Sequence, residues 1–210
     1  MLTPEKERIR IVLEETIRKA KNNSVSLLYS SHLNLKSCRI VGFTDASFGN
    51  LPDAASQGAF IVFLVDQNGY YSPISWQSRR IRRVANSSLA AECIAAVEVA
   101  EMCIYLKALI TDFSFVSDYV ILIRVLTDSK SFVENVQSCT PVKNKRLQIE
   151  MAVIREMIKN GDVSEIRWIP DRLNLANPLT KEGASCAYLL RVINGFAKFN
   201  FDTDEFVESL

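Results

Sequence analysis

Three acids lie where a strand hands over to a turn or where a helix begins, and carboxylates in such places can hold a metal ion. Asp45 closes the short β-branched and aromatic stretch Val41 to Ser47, VGFTDAS, and Asp128 follows a second apolar run, Tyr119 to Thr127. Glu92 falls one turn into a long helical pattern. Three carboxylates converging on one point repel each other and cost stability unless a cation neutralises them. Oxygen-only ligands select hard ions, so Mg²⁺ or Mn²⁺ is implied and zinc is not. Two such ions about 4 Å apart can activate a water and stabilise the leaving oxygen of a phosphodiester. Singly, each acid also has an ordinary reading: Asp45 opens a turn, Glu92 is a solvated helix residue and Asp128 is an N-cap. Their joint placement at two strand ends and one helix start shifts the balance towards a metal site and leaves both readings open.

The elements that must position these acids follow from periodicity. Thr3-Pro4 starts an amphipathic helix with Ile9, Val12, Leu13, Ile17 and Ala20 on its apolar stripe, running to about Lys21. Val25 to Tyr29 reads as a short extended piece and Ser30 to Ser37 as a polar connection. Arg39 to Asp45 is then a strand. Gln57 to Val65 and Tyr70 to Trp76 flank Asp66-Gln67-Asn68-Gly69, and Asn-Gly between two apolar runs predicts a hairpin. Asn86-Ser87-Ser88 opens a long helix over about Ser88 to Leu109, with Leu89, Cys93, Ala96, Val97, Ala100, Ile104 and Ala108 on one face.

Tyr119 to Thr127 has the near-continuous apolar character of a strand covered on both faces, and a helix over Ser129 to Val136 follows it. A helix over Lys143 to Lys159 stops at Asn160-Gly161, and Val163 to Ile169 is a further strand. Asn174 is expected to open another helix, with Pro178 in its first turn, before a final helix over about Ala184 to Asn194 and a fraying acidic-aromatic tail. Strands that begin antiparallel and then alternate with helices predict a mixed α/β sheet covered by helices, with ligands beyond the carboxyl ends of its parallel strands.

Composition narrows the classes. A chain of 210 residues, 48% of them hydrophobic, can bury a full core, and the near balance of 25 basic against 24 acidic residues leaves only local clusters to speak for a nucleic-acid partner. Arg79, Arg80, Arg82 and Arg83 form one such cluster, and Lys143, Lys145 and Arg146 another. The 5 cysteines make no C-x-x-C pair and have only His32 for company, which excludes an ordinary zinc site and favours a reducing intracellular compartment. The charged N-terminus does not read as a signal peptide, and the Val120 to Leu126 run falls short of the roughly 20 residues that span a bilayer. A soluble cytoplasmic or nuclear protein, with no membrane partner, is expected.

Taken together, FTDAS at 43 to 47, SWQSRRIRRVANSSLAAEC at 75 to 93, LTDSKSF at 126 to 132, KRLQIEMAVIREMIKNGDVSEIRWIP at 145 to 170 and NLANPLTKEGAS at 174 to 185 resemble, in order and spacing, the ribonuclease H domain of copia-type LTR retrotransposon Pol polyproteins. The resemblance covers roughly Thr3 to Asn194. It implies an RNase H-like fold, a five-stranded mixed sheet whose first three strands are antiparallel, with flanking helices. It also implies cleavage of the RNA strand of an RNA–DNA hybrid with two Mg²⁺ ions, Mn²⁺ being an alternative, to leave a 3′-hydroxyl and a 5′-phosphate. By motif match Asp45 would bridge both ions, and Glu92 and Asp128 would hold the one on the leaving-group side. The basic clusters would contact phosphates, which positions a hybrid without reading its sequence; the alternative is a solvated surface. Residues 1–37 resemble the junction between reverse transcriptase and ribonuclease H, 38–183 the ribonuclease H domain, and 184–210 a C-terminal helix and tail. The implied partner besides the hybrid is the reverse transcriptase domain of the same polyprotein.

The chain departs from this pattern at one position. Where the family places a fourth catalytic aspartate, this chain has Asn177, whose amide can donate a carbonyl oxygen to an ion but brings no charge. Asp171 and Glu182 are the nearest acids that could compensate, and the preceding loop lacks the histidine that some family members use in product release. Two function classes therefore stand: an RNase H-type endonuclease, active or weakened, and a catalytically silent RNase H-like module serving as a structural or hybrid-binding appendage. An integrase-like polynucleotidyl transferase fits the late motif less well.

Overall fold

β-Branched and aromatic residues dominate the runs that become strands. In the computed structural model, which describes residues 4–22, 25–113, 120–138, 144–181 and 183–208, β1 (Arg39–Ser47), β2 (Gln57–Val65) and β3 (Tyr71–Arg80) form the antiparallel meander expected of them. The turn between β2 and β3 forms as its sequence predicts. Gly69 takes a φ of +79°, and the buried Asp66 carboxylate accepts hydrogen bonds from the backbone N–H groups of Asn68 and Tyr70.

The chain then crosses over through α2 (Ser88–Phe113) to β4 (Ile123–Thr127), which pairs parallel to β1. After α3 (Lys130–Ser138) and α4 (Lys145–Lys159) it adds β5 (Glu165–Trp168), parallel to β4. The strand order is β3-β2-β1-β4-β5. This is the mixed five-stranded RNase H-like sheet, antiparallel in its first three strands, that the resemblance implies.

The two faces of the sheet bury separate cores. On one, Ile40, Phe60, Val62 and Leu64 meet Cys93, Ala96, Val97 and Ala100 of α2, Phe132 of α3 and Met151 and Ile154 of α4. On the other, Val41, Phe43, Ile61 and Phe63 are covered by C-terminal elements: α5 (Ala187–Ile193), β6 (Ala197–Asn200) and β7 (Glu205–Glu208). α2 can lie close to β1 because Gly42 faces it. A Cβ there would come within 2.8 Å of Val99 Cγ2 and 3.0 Å of Cys103 Sγ.

Three expectations change. The strand predicted from Tyr119 forms its ladder only over Ile123–Thr127. Tyr119 lies outside the described residues, while Val120 and Leu122 are exposed, so the start of the run lacks the two-sided cover a buried strand needs. Asn174 opens no helix. Pro170 and Pro178 divide the segment into two 3₁₀ turns, Asp171–Leu173 and Asn177–Leu179. The Asn174 side chain instead donates to Thr44 O (2.9 Å) and accepts from Ala176 N (3.1 Å).

The tail is not frayed over 197–208. β6 and β7 pair as an antiparallel hairpin that inserts Phe199 and Phe206 into the second core. Phe206 packs 4.6 Å from the Tyr71 ring and 5.1 Å from that of Phe63. Asp204, in the turn between them, is ion-paired with Arg124 of β4 and lies 2.9 Å from Arg167 of β5.

α1 (Pro4–Asn22) presents Ile9, Leu13 and Ile17 to solvent. No helix among the described residues is long and apolar enough to cross a membrane.

Truncating a ring in so closed a cluster leaves a cavity. Phe206→Ala is expected to cost about 3–5 kcal/mol, read as a lowered denaturation midpoint, with the C-terminal hairpin becoming the first segment cut by a protease.

Candidate active site

Strand register brings two of the acids together. Thr44 of β1 pairs with Thr127 of β4 in the parallel ladder, so the next residues, Asp45 and Asp128, emerge side by side at the carboxyl ends of adjacent strands. Glu92 reaches the same rim from the first turns of α2, whose Cys93, Ala96 and Val97 are packed on the sheet. One carboxylate oxygen from each of Asp45, Glu92 and Asp128 lies within 4.8 Å of the others.

Burial raises all three, and neighbouring carboxylates add to it. Asp45 is buried, and its carboxyl is raised above the usual range by desolvation, although the Thr180 hydroxyl and the Lys181 ammonium oppose that. Glu92 is pushed up to about 9, first by burial and then by the charges of Asp45 and Asp128. Asp128 is pushed up to about 6 by burial, by Asp45 and by its contact with Asp171. Glu92 Oε2 is buried with no hydrogen-bond partner. An orphaned carboxylate oxygen beside two further carboxylates fits a divalent cation, and an all-oxygen donor set fits a hard one.

The segment after β5 completes the rim. Thr180, itself buried, donates its hydroxyl to Asp45 Oδ2. Lys181 places its ammonium 3.9 Å from Asp45 Oδ1 and 3.9 Å from Asp171 Oδ1. Asn177 donates from Nδ2 to Asp171 Oδ1 (2.7 Å), and its Oδ1 accepts from Lys181. Sequence reasoning singled out Asn177 but assigned no role to Thr180 or Lys181 and gave Asn174 only a helix start. The signal was available, since all three lie within the late motif, but their partners lie far away along the chain.

The basic residues are less uniform than their sequence cluster suggests. Arg79 is ion-paired with Glu98 (3.0 Å), Arg80 with Asp53 and Arg83 with Glu150. Arg82 is exposed and makes no ion pair among the described residues, and Lys145 and Arg146 are exposed at the start of α4. Lys143 and Glu182 lie outside the described residues. Arg83 and Arg146 share a cavity of about 370 Å³ with Val84, Ala90, Ile94 and Leu147.

An RNase H-like sheet with a carboxylate cluster at the ends of its central strands defines the class of this site. No protein-family model matches the chain. Among solved structures it is similar to RNase H1 from the halophilic archaeon Halobacterium salinarum NRC-1, with a TM-score of 0.46 and 19% identity over 67% of this chain and 93% of that one. It is similar also to an N-terminal RNase H domain from Mycobacterium tuberculosis, with a TM-score of 0.49 and 18% identity over 69% of this chain and 91% of that one. A third is the foamy viral protease-reverse transcriptase in complex with an RNA/DNA hybrid, with a TM-score of 0.48 and 14% identity over 77% of this chain and 22% of that one.

The electrostatics give a signed pH dependence. Folding raises the Glu92 carboxyl from 4.5 to about 9, so the metal-free folded chain holds a proton that the unfolded chain releases. That contribution to stability is fully present below about 4.5 and is lost as pH rises towards about 9. Glu92→Gln, neutral at every pH, is expected to stabilise the chain in chelator at about pH 8 by roughly 1–3 kcal/mol and to flatten the dependence of urea midpoint on pH.

Proposed function

We propose that this chain is a metal-dependent ribonuclease H of the copia-type retrotransposon kind, hydrolysing the RNA strand of an RNA–DNA hybrid during reverse transcription. The observation that carries the reading is the convergence of Asp45, Glu92 and Asp128 within 4.8 Å, with one buried Glu92 oxygen unpartnered. Asp45, Glu92 and Asp128 would hold Mg²⁺ or Mn²⁺, which supplies Lewis-acid activation of water and neutralises charge on the phosphodiester.

The chain's own residues do the rest. Thr180 fixes the Asp45 carboxylate through its hydroxyl, and Asn174 ties the same segment to the end of β1 at Thr44 O. In the hydrolysis a water oxygen bonds to phosphorus as the bond to the 3′ oxygen breaks. One water proton ends on that oxygen, leaving a 3′-hydroxyl and a 5′-phosphate. Arg82, Lys145 and Arg146, exposed and without an ion pair among the described residues, would meet backbone phosphates, and Arg79, Arg80 and Arg83 would do so by exchanging an acid for a phosphate. Lys143 belongs to the same proposed surface.

The order of parts along the chain is read in the same way: residues 1–37 as the junction to a reverse transcriptase domain of the same polyprotein, 38–183 as the ribonuclease H domain and 184–210 as a C-terminal cover. The exposed apolar side of α1 supports the junction role. The setting would be cytoplasmic or nuclear.

A second reading, a silent hybrid-binding module, is favoured by the neutral Asn177 at the fourth position. Purified chain is to be incubated with a hybrid labelled on its RNA strand in Mg²⁺ or Mn²⁺. Wild type is expected to cut the hybrid and to leave single-stranded RNA intact, with Asp45→Asn at least about 100-fold slower. Hybrid binding without cutting in either metal, with cutting gained by Asn177→Asp, would establish the silent module instead.

A further inference from the structure

The resemblance carries an expectation of two ions, and the arrangement around Asn177 is at odds with it. A second ion would need an oxygen of Asp45 and one from the fourth position. Asp45 Oδ2 accepts from the Thr180 hydroxyl, and Asn177 Oδ1 accepts from Lys181. The remaining Asp45 oxygen, Oδ1, has the Lys181 ammonium 3.9 Å away, and Asp171 Oδ1 lies at the same 3.9 Å. Asn177 Nδ2 donates to Asp171 Oδ1 at 2.7 Å, which turns the amide oxygen towards the ammonium.

The charges add up consistently. An aspartate at position 177 would leave Asp45, Asp171 and the new acid facing one ammonium, and a divalent ion would have a reason to bind. With the amide, one ammonium faces the two carboxylates of Asp45 and Asp171, and the excess is one negative charge where an aspartate at 177 would make it two. Lys181 is anchored at its base, because Leu179 O accepts from Ser78 Oγ (2.6 Å) and Gln57 Nε2 (3.1 Å), and Thr180 O accepts from Asn50 Nδ2 (3.0 Å). Its side chain is 44% exposed, so the ammonium remains reachable by a phosphate.

We propose that Lys181 takes the place of the second cation, so that the site holds a single divalent ion on Asp45, Glu92 and Asp128 and meets the scissile phosphate with a fixed ammonium on the other side. This rests on the ribonuclease reading and refines it: the neutral Asn177 is then matched to Lys181 and is not a loss. Lys181 contributes charge and exchanges no atom with the substrate, so the balance of the hydrolysis is unchanged.

The test counts ions directly. Mn²⁺ bound per chain is measured by electron paramagnetic resonance for wild type, Lys181→Met and the double variant Asn177→Asp/Lys181→Met, with circular dichroism to check folding and hybrid cleavage assayed alongside. Wild type is expected to bind one Mn²⁺ and the double variant two. Lys181→Met alone is expected to keep one ion while cleaving about 10- to 100-fold more slowly, with Lys181→Arg restoring much of the rate. Two ions on wild type, one ion on the folded double variant, or a Lys181→Met that cuts like wild type would each overturn the proposal and leave the ribonuclease reading standing. A wild type that binds no Mn²⁺ and cuts no hybrid would overturn both.

Discussion

The carboxylates of Asp45, Glu92 and Asp128 repel one another, and the fold holds them together regardless. The β1–β4 register sets Asp45 beside Asp128. The close seat of α2 over Gly42 sets Glu92 over both, and the two cores hold the sheet between its covers. Burial first, and then the Asp45 charge, raise the proton affinity of Glu92 and Asp128, a cost that the rest of the core must offset whenever no cation is present.

The countercharge inside the protein comes from the opposite face. The segment from Asn174 to Lys181, which carries Asn177, Thr180 and Lys181, is fastened to β1, β2 and β3 through Asn174, Gln57 and Ser78. The C-terminal hairpin behind it is pinned by Asp204 to Arg124 and Arg167 and by the Phe206 ring cluster. Position 181 is thus set by contacts of Leu179 and Thr180 with Asn50, Gln57 and Ser78, and a site built by neighbouring strands is finished by a distant loop.

What could be read from the sequence divides along the same line. The strands, the Asn-Gly turn, the long helix and the acids Asp45, Glu92 and Asp128 were legible because each is signalled within a few residues, by periodicity or by a residue type at an element's end. The hairpin of 197–208 was not, because Phe199 and Phe206 read as a loose aromatic tail until Phe43, Phe63 and Tyr71 are placed beneath them. Asn174 carried the local signal of a helix start, and the demand of Thr44 O for a donor overrode it. Lys181 could not be assigned from spacing, since its partners Asp45 and Asp171 lie on different elements. The arginines read as one basic patch, but three of the four already hold acids, a pairing only the folded chain reveals.

Whether the three carboxylates form a cation site is tested most directly by thermal unfolding of the wild type in chelator and in Mg²⁺ at about pH 8, where the unfolded chain's carboxylates are ionised. A cation bound only by the folded state should raise the midpoint by about 5 °C or more, and the rise should vanish in Asp128→Asn. An unchanged midpoint in wild type, or an equal rise in Asp128→Asn, would contradict a metal site at Asp45, Glu92 and Asp128.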